Sequence, residues 1–318
     1  MSRKIHFINV GHGGMTLLEL DDVFFLVDVK IISLKDPAYR YLDEVLPQQE
    51  NGKKIIDYLV ITHPDRDHLE GINLLDENFE IKHIWESGFR RSEDAEESPP
   101  YDYFLEMVDR MGSRKFSAGS TPYDFPVENV EFYCLSSKSN NEDDAHYNCL
   151  VLKFIVDKFT IMLPGDSSCE AWKDKILKYY PDLLDSDIFQ ASHHGSNTFF
   201  FRKEDEEKEN PCLEAIEKIS PTVTVISSPK PGEQQEGWPP HEEALNFYEE
   251  YTDVNGGVYI TGEQGNIVFE LDDEIKLDDS LSSEQYQFIK GKANHSYYKG
   301  PYLSRSKAHR SPSKDSFG

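Results

Sequence analysis

The chain has 318 residues, 38% of them hydrophobic, and a formal net charge of -26 at pH 7. That length suits one large domain or two small ones with an ample core, and one domain plus a tail is the simpler division. The acidic balance repels polyanions at long range, which weakens a role on long duplex DNA without excluding it, while four cysteines with no CxxC spacing argue against a thiolate zinc site or disulfide scaffold and for a reducing compartment.

The start, Met-Ser-Arg-Lys, enters a strand-like segment at once with no apolar leader. No run approaches the length that crosses a bilayer, so a cytoplasmic location without a membrane partner is expected. Residues 5–10, 15–20 and 23–29 read as an antiparallel meander broken by glycines and by Asp21-Asp22. A buried strand over 58–61 leads into a polar cluster, and a shorter strand covers 82–85. The segment 86–119, rich in charge and proline with helical spacing over 101–111, reads as an excursion from the core. A strand over 130–135 and a polar loop over 136–144 follow. Segments 149–156 and 159–163 form a hairpin around Asp157-Lys158, and 168–180 reads as a helix. A short strand over 188–191 runs into Ser192-His-His-Gly-Ser196. The stretch 202–211 is almost all charged and belongs on the surface. Then come a helix (212–219), a strand (222–227), a Pro/Gly-rich loop (229–240), a helix (241–251), and segments 258–261 and 267–271 as a closing hairpin. Two batches of strands, each with helices, predict two sheets packed face to face. Residues 1–271 are expected to form the domain, and 272–318 a polar, mobile tail.

His63-Pro-Asp-Arg-Asp-His68 places two imidazoles and two carboxylates within six residues, directly after a buried strand. Unmetallated, such a cluster repels itself or needs several separate partners, whereas divalent cations satisfy all four groups at once. Four further sites stand at element boundaries: Asp166 after a strand and Pro164-Gly165, the pair His193 and His194, His146 ahead of a strand, and His241 at a helix start. Each alone has an ordinary reading as a turn or cap residue. Their joint placement points to one shared cleft, with one of His193 and His194 a ligand and the other free to contact substrate.

With these residues in view, the chain resembles the metallo-β-lactamase superfamily, particularly the soluble nuclease-like domain of ComEC competence proteins. The likeness spans roughly residues 5–271. It rests on Phe7-Ile-Asn-Val-Gly-His-Gly-Gly14, Thr62-His-Pro-Asp-Arg-Asp-His-Leu-Glu-Gly71, Leu163-Pro-Gly-Asp166, Ala191-Ser-His-His-Gly-Ser196 and Pro239-Pro-His-Glu-Glu-Ala-Leu245. It departs from that branch at His12 and Gly14, which stand where Gln and Asp are usual, and at Lys30, where glycine is common. Asp65 replaces the superfamily's usual second histidine. The resemblance implies an α/β, metallo-β-lactamase-like αββα four-layer sandwich of two mixed sheets with helices outside. It implies two divalent metal ions, Mn2+ or Zn2+ with Mg2+ as a third option. His63 and Asp65 would hold one, Asp67 and His68 the other, with Asp166 bridging and His193 or His194 completing the second site. His146 is the nearest match to a further ligand, with Asn148 competing, and Asp28 matches a position that supports the ligands.

The implied activity is hydrolysis by water activated between the metals, with Asp67, His194 and His241 as catalytic candidates. Asp65 in place of an imidazole favours oxygen-loving cations and anionic phosphate esters. A phosphodiesterase or nuclease acting on nucleic acid or nucleotides is therefore expected, single strands or small nucleotides being favoured over long duplexes. Two alternatives stand beside it: an ester, thioester or lactone hydrolase on the same scaffold, and a metal-stabilised regulatory module with protein partners.

Overall fold

Apolar runs on either side of Asp21-Asp22 form a hairpin of strands β2 (Thr16–Leu20) and β3 (Val23–Val27), with Asp21 at φ 57°, the left-handed conformation such a turn requires. Strand β1 (Arg3–Phe7) lies antiparallel along the other side of β2, which completes the expected meander. The computed structural model describes residues 3–50, 52–92, 94–139, 144–203 and 210–278.

Strands β4 (Lys54–Ile61), β5 (Phe79–Glu86) and β6 (Arg114–Lys115) extend this sheet in parallel from β3. Parallel strands are covered on both faces, and Ile55, Ile56, Leu59, Val60 and Ile61 of β4 are all buried. The second sheet begins with the antiparallel strands β7 (Val130–Ser136), β8 (Val151–Val156) and β9 (Phe159–Leu163). It turns parallel through β10 (Ile188–Gln190), β11 (Val223–Ile226) and β12 (Gly257–Ile260). Asp157, at φ 54°, makes the expected turn between β8 and β9. Strands β13 (Ile267–Leu271) and β14 (Ile275–Leu277) return to the first sheet, which has eight strands among the described residues against six in the second.

The inner faces share one core, in which Phe7, Phe25 and Val60 of the first sheet meet Phe132, Phe154 and Ile161 of the second. Helices Pro37–Val45, Ile72–Asn78 and Pro99–Met111 cover the outer face of the first sheet. A helical run over 169–179, with a π-helical centre at Trp172–Ile176, and helices Glu214–Ile219 and Glu242–Tyr251 cover the second. The expected helix–sheet–sheet–helix layering is present. Asp36 accepts from Ala38 N–H and Pro37 sits in the first turn, the capping signal that starts the first of these helices.

Three expectations need correction. Segments 258–261 and 267–271 are not a hairpin, because β12 lies parallel to β11 at the edge of one sheet while β13 pairs with β1 in the other. Short alternating runs look alike whichever partner they find, so the crossing between sheets had no local signal. The 86–119 excursion is built into the core: Tyr101, Phe104 and Met107 are buried against the first sheet, and β6 extends that sheet. Residues 275–277 of the expected tail form β14, while 279–318 lie outside the described residues, as do 140–143 of the polar loop and 204–209 of the charged stretch. Among the described residues no helix is long and apolar enough to cross a membrane.

Candidate metal centre

In both sheets the strands change from antiparallel to parallel, at β3 and at β9, and the polar groups gather beyond the carboxyl ends of the strands from there on. Side chains and backbone groups freed at such a switch point face a common crevice. Asp28 follows β3, the run Thr62–His68 follows β4, Asp166 follows β9, His193 and His194 follow β10, and Ser227 follows β11. A backbone bond from Leu150 N–H to the Thr62 carbonyl (3.0 Å) joins the two sheets here, and one from His193 N–H to the Gly165 carbonyl (3.1 Å) ties the histidine turn to the Asp166 turn within the second.

His63, Asp65 and His146 form one group, and Asp67, His68, Asp166 and His194 another; within each, one candidate ligand atom per residue lies within 4.8 Å of the rest. Asp166 belongs also to a third such group with His146 and His193, so Asp166 links the second group to the third and His146 links the third to the first. His146 Nε2 is 3.1 Å from Asp65 Oδ2, and His63 Nε2 is 3.6 Å from both Asp65 Oδ2 and Asp166 Oδ2. On the other side His68 Nε2 is 3.2 Å from Asp166 Oδ1, and His194 Nε2 is 3.2 Å from Asp67 Oδ2.

The opposite ring nitrogens fix the tautomers. Asp28 Oδ2 lies 2.7 Å from His68 Nδ1, so that nitrogen donates; His194 Nδ1 donates to the Ser227 carbonyl at 2.9 Å. Thr62 spends its hydroxyl proton on Asp28 and therefore accepts from His63 Nδ1 at 3.0 Å. Thr198 accepts likewise from His193 Nδ1 at 2.8 Å, its own hydroxyl donating to Ser196. Four imidazoles thus aim their Nε2 lone pairs at carboxylate oxygens, an arrangement that is repulsive unless a cation or protons lie between. His63 Nε2 is buried with no hydrogen-bond partner, and the His68 and His194 Nε2 atoms face one another at 3.2 Å. This donor set fits divalent cations.

The electrostatics agree. Burial, which alone would discharge His68 and His194, is outweighed by Asp166 and its neighbouring carboxylates, so His68 is held well above the usual value and His194 at about 9. Burial holds His63 low, and holds His193 at about 3 although Asp166 opposes it. Asp166 is pulled far below the ordinary carboxylate range because four surrounding imidazoles overcome its burial. Asp65 falls to about 2, burial being overcome chiefly by its hydrogen bond to His146. Nitrogens that hold protons between carboxylates in this way release them when a metal takes their place.

The sequence-predicted residues His63, Asp65, Asp67, His68, His146, Asp166, His193 and His194 are brought together. Which of the two neighbouring histidines would be the ligand was open in the sequence; His194 joins Asp67, His68 and Asp166, while His193 joins His146 and Asp166. Both occupy the left-handed region, at φ 57° and 49°, and this strained turn sends their rings apart. His241 braces the site from outside. Its Nδ1 accepts from Asn197 N–H at 3.1 Å and its Nε2 lies 3.3 Å from the Gly237 carbonyl, which ties the histidine turn to the 229–240 loop. One residue outside the candidate set enters the cluster. His12 Nε2 is 3.3 Å from Asp67 Oδ2, and the His12 ring sits 4.7 Å from His194 and 4.5 Å from Trp238. Its position on the glycine turn before β2, where another residue type was expected, was the available signal.

No family model matches the chain. It is 22% identical over 214 residues to ComE operon protein 3 of Bacillus subtilis (strain 168), a match that covers 65% of this chain and 25% of that protein. The chain therefore spans about a quarter of the length of this curated relative. Among solved structures it is similar to YhfI, a metallo-beta-lactamase fold protein from Bacillus subtilis, with a TM-score of 0.50 at 14% identity, covering 85% of this chain and 100% of YhfI. Igni18, a metallo hydrolase from the archaeon Ignicoccus hospitalis KIN4/I, matches the same shares at a TM-score of 0.49 and 14% identity.

Proposed function

We propose that this chain, which has the metallo-β-lactamase fold, is a hydrolase of phosphodiesters in nucleic acid or nucleotides that works with two divalent cations. The observation that carries the reading is the convergence of Nε2 lone pairs and carboxylates on Asp166 from both sheets. His63, Asp65 and His146 would hold one cation and Asp67, His68 and His194 the other, with Asp166 shared and His193 beside it. Three carboxylates among the donors favour Mn2+ over a softer choice, with Zn2+ and Mg2+ as competitors. When bound, such cations supply Lewis-acid polarisation of a phosphoryl oxygen and acidify water toward neutral pH.

The protein's own share is positioning. Asp28 orients His68, the Ser227 carbonyl orients His194, and Thr62 orients His63 while it secures Asp28. His12 stands beside Asp67, its Nε2 3.3 Å from that carboxylate.

The test is metal analysis of purified protein with a panel of substrates. Two equivalents of cation and turnover of bis-p-nitrophenyl phosphate with Mn2+, abolished by replacing Asp67 and His68 together, are expected. Turnover of p-nitrophenyl acetate alone would transfer the site to ester chemistry, and tightly held metal with no turnover of either would make it structural.

A further inference from the structure

Trp238 is the one tryptophan of three whose ring reaches solvent: Trp85 and Trp172 are buried, whereas Trp238 is 45% exposed. It lies on the loop after β11, which is braced by bonds of its own and meets the candidate metal centre through the indole's contact with His12. Trp238 N–H donates to the Gln235 carbonyl at 3.0 Å, and Gln234 donates to the Pro240 carbonyl at 3.0 Å. The neighbouring Gly237 carbonyl is met by His241. Inward, the indole packs on the His12 ring, which in turn meets His194 and Asp67. His12 is itself fixed, because Lys30 donates to its carbonyl and the next carbonyl, that of Gly13, accepts from Ser227 Oγ at 2.9 Å. A costly exposed aromatic surface is thus supported from behind by a second ring and stands one imidazole away from the carboxylate cluster.

We propose that Trp238, backed by His12, is a stacking platform for the planar base of a nucleobase-bearing phosphate whose phosphoryl group lies at the Asp67–Asp166 cluster. The inference rests on the phosphodiester reading above and narrows its substrate class. Charge supports it. A protein of net charge -26 gains no long-range attraction for a phosphate ester, so recognition has to come from bound cations at one end of the substrate and uncharged contact at the other. Base–aromatic stacking supplies such contact for any base, because every base has a π face.

The test uses the full chain loaded with Mn2+ and three probes: adenosine 5′-monophosphate, adenosine and ribose 5-phosphate. Binding is followed by calorimetry and by tryptophan fluorescence, in which Trp238 is the exposed reporter. The nucleotide and the nucleoside should quench the signal and ribose 5-phosphate should not. W238A should weaken the nucleotide about tenfold relative to ribose 5-phosphate, and W238F should restore most of that preference. Equal weakening of both phosphates in W238A, or no change in their ratio, overturns the platform. Adenosine separates the two ideas: Trp238-dependent binding of adenosine in a protein that turns over no phosphodiester keeps the platform and removes the chemistry. Phosphodiester turnover with no preference for a base does the reverse.

Discussion

At the scale of single residues, Asp28 shows how much of the centre depends on groups that need not touch a metal. Its carboxylate accepts from His68 Nδ1, from Thr62 N–H and from the Thr62 hydroxyl, each at 2.7 Å. Asp28→Asn leaves the shape and removes the anionic acceptor, so cation affinity should fall about 10–100-fold while far-UV circular dichroism is unchanged. The titrating imidazoles give a second expectation. His194, held at about 9 in the fold against 6.5 when free, stabilises the metal-free protein below pH 6.5, and this is lost as pH rises through 9. His193 and His12 are held at about 3 and about 4, first by burial, so they favour unfolding as pH falls below 6.5. The melting temperature in EDTA should therefore peak near pH 6.5, and Mn2+ should raise the alkaline side most. Donor types placed just beyond apolar runs made His63, Asp65, Asp67, His68 and Asp166 legible in the sequence. The division between His193 and His194 was not, because it depends on a left-handed turn in which two adjacent rings part.

At the scale of elements, the glycine turns decide how closely the run Thr62–His68 packs on its neighbours. Gly71, at φ 86°, starts the helix Ile72–Asn78 against the 28–36 segment, and a Cβ there would lie 2.1 Å from the Ile31 carbonyl oxygen. Gly112, at φ 76° after the helix Pro99–Met111, faces open space. Gly112→Ala should cost about 2 kcal/mol from backbone strain alone, whereas Gly71→Ala adds a backbone clash and should cost about 3 kcal/mol or more. Urea unfolding with unchanged slope would read both. Elements themselves were legible where pattern and punctuation agree, as in the hairpin at Asp157 and the buried run of β4. Partner choice was not: β12 and β13 are short runs of similar character on either side of a short helix, and only the finished sheets show that they separate.

For the whole molecule, the acidic surface sets the sign of its response to salt. A basic nucleic-acid-binding protein loses affinity as salt rises, because phosphate contacts release counterions. Here the long-range term is repulsive, so raising NaCl from about 20 mM to about 150 mM at fixed Mn2+ should leave nucleotide binding level or strengthen it, as measured by calorimetry. A steep loss would reveal a basic track that the described surface does not suggest. The placement of Asp166 has a consequence of another kind. It comes from one plate of the sandwich, while His63 and His68 come from the other. A cation seated among them would be a rivet driven through both plates, so neither half expressed alone would carry the centre: the seam between the sheets and the proposed machinery would be one and the same object.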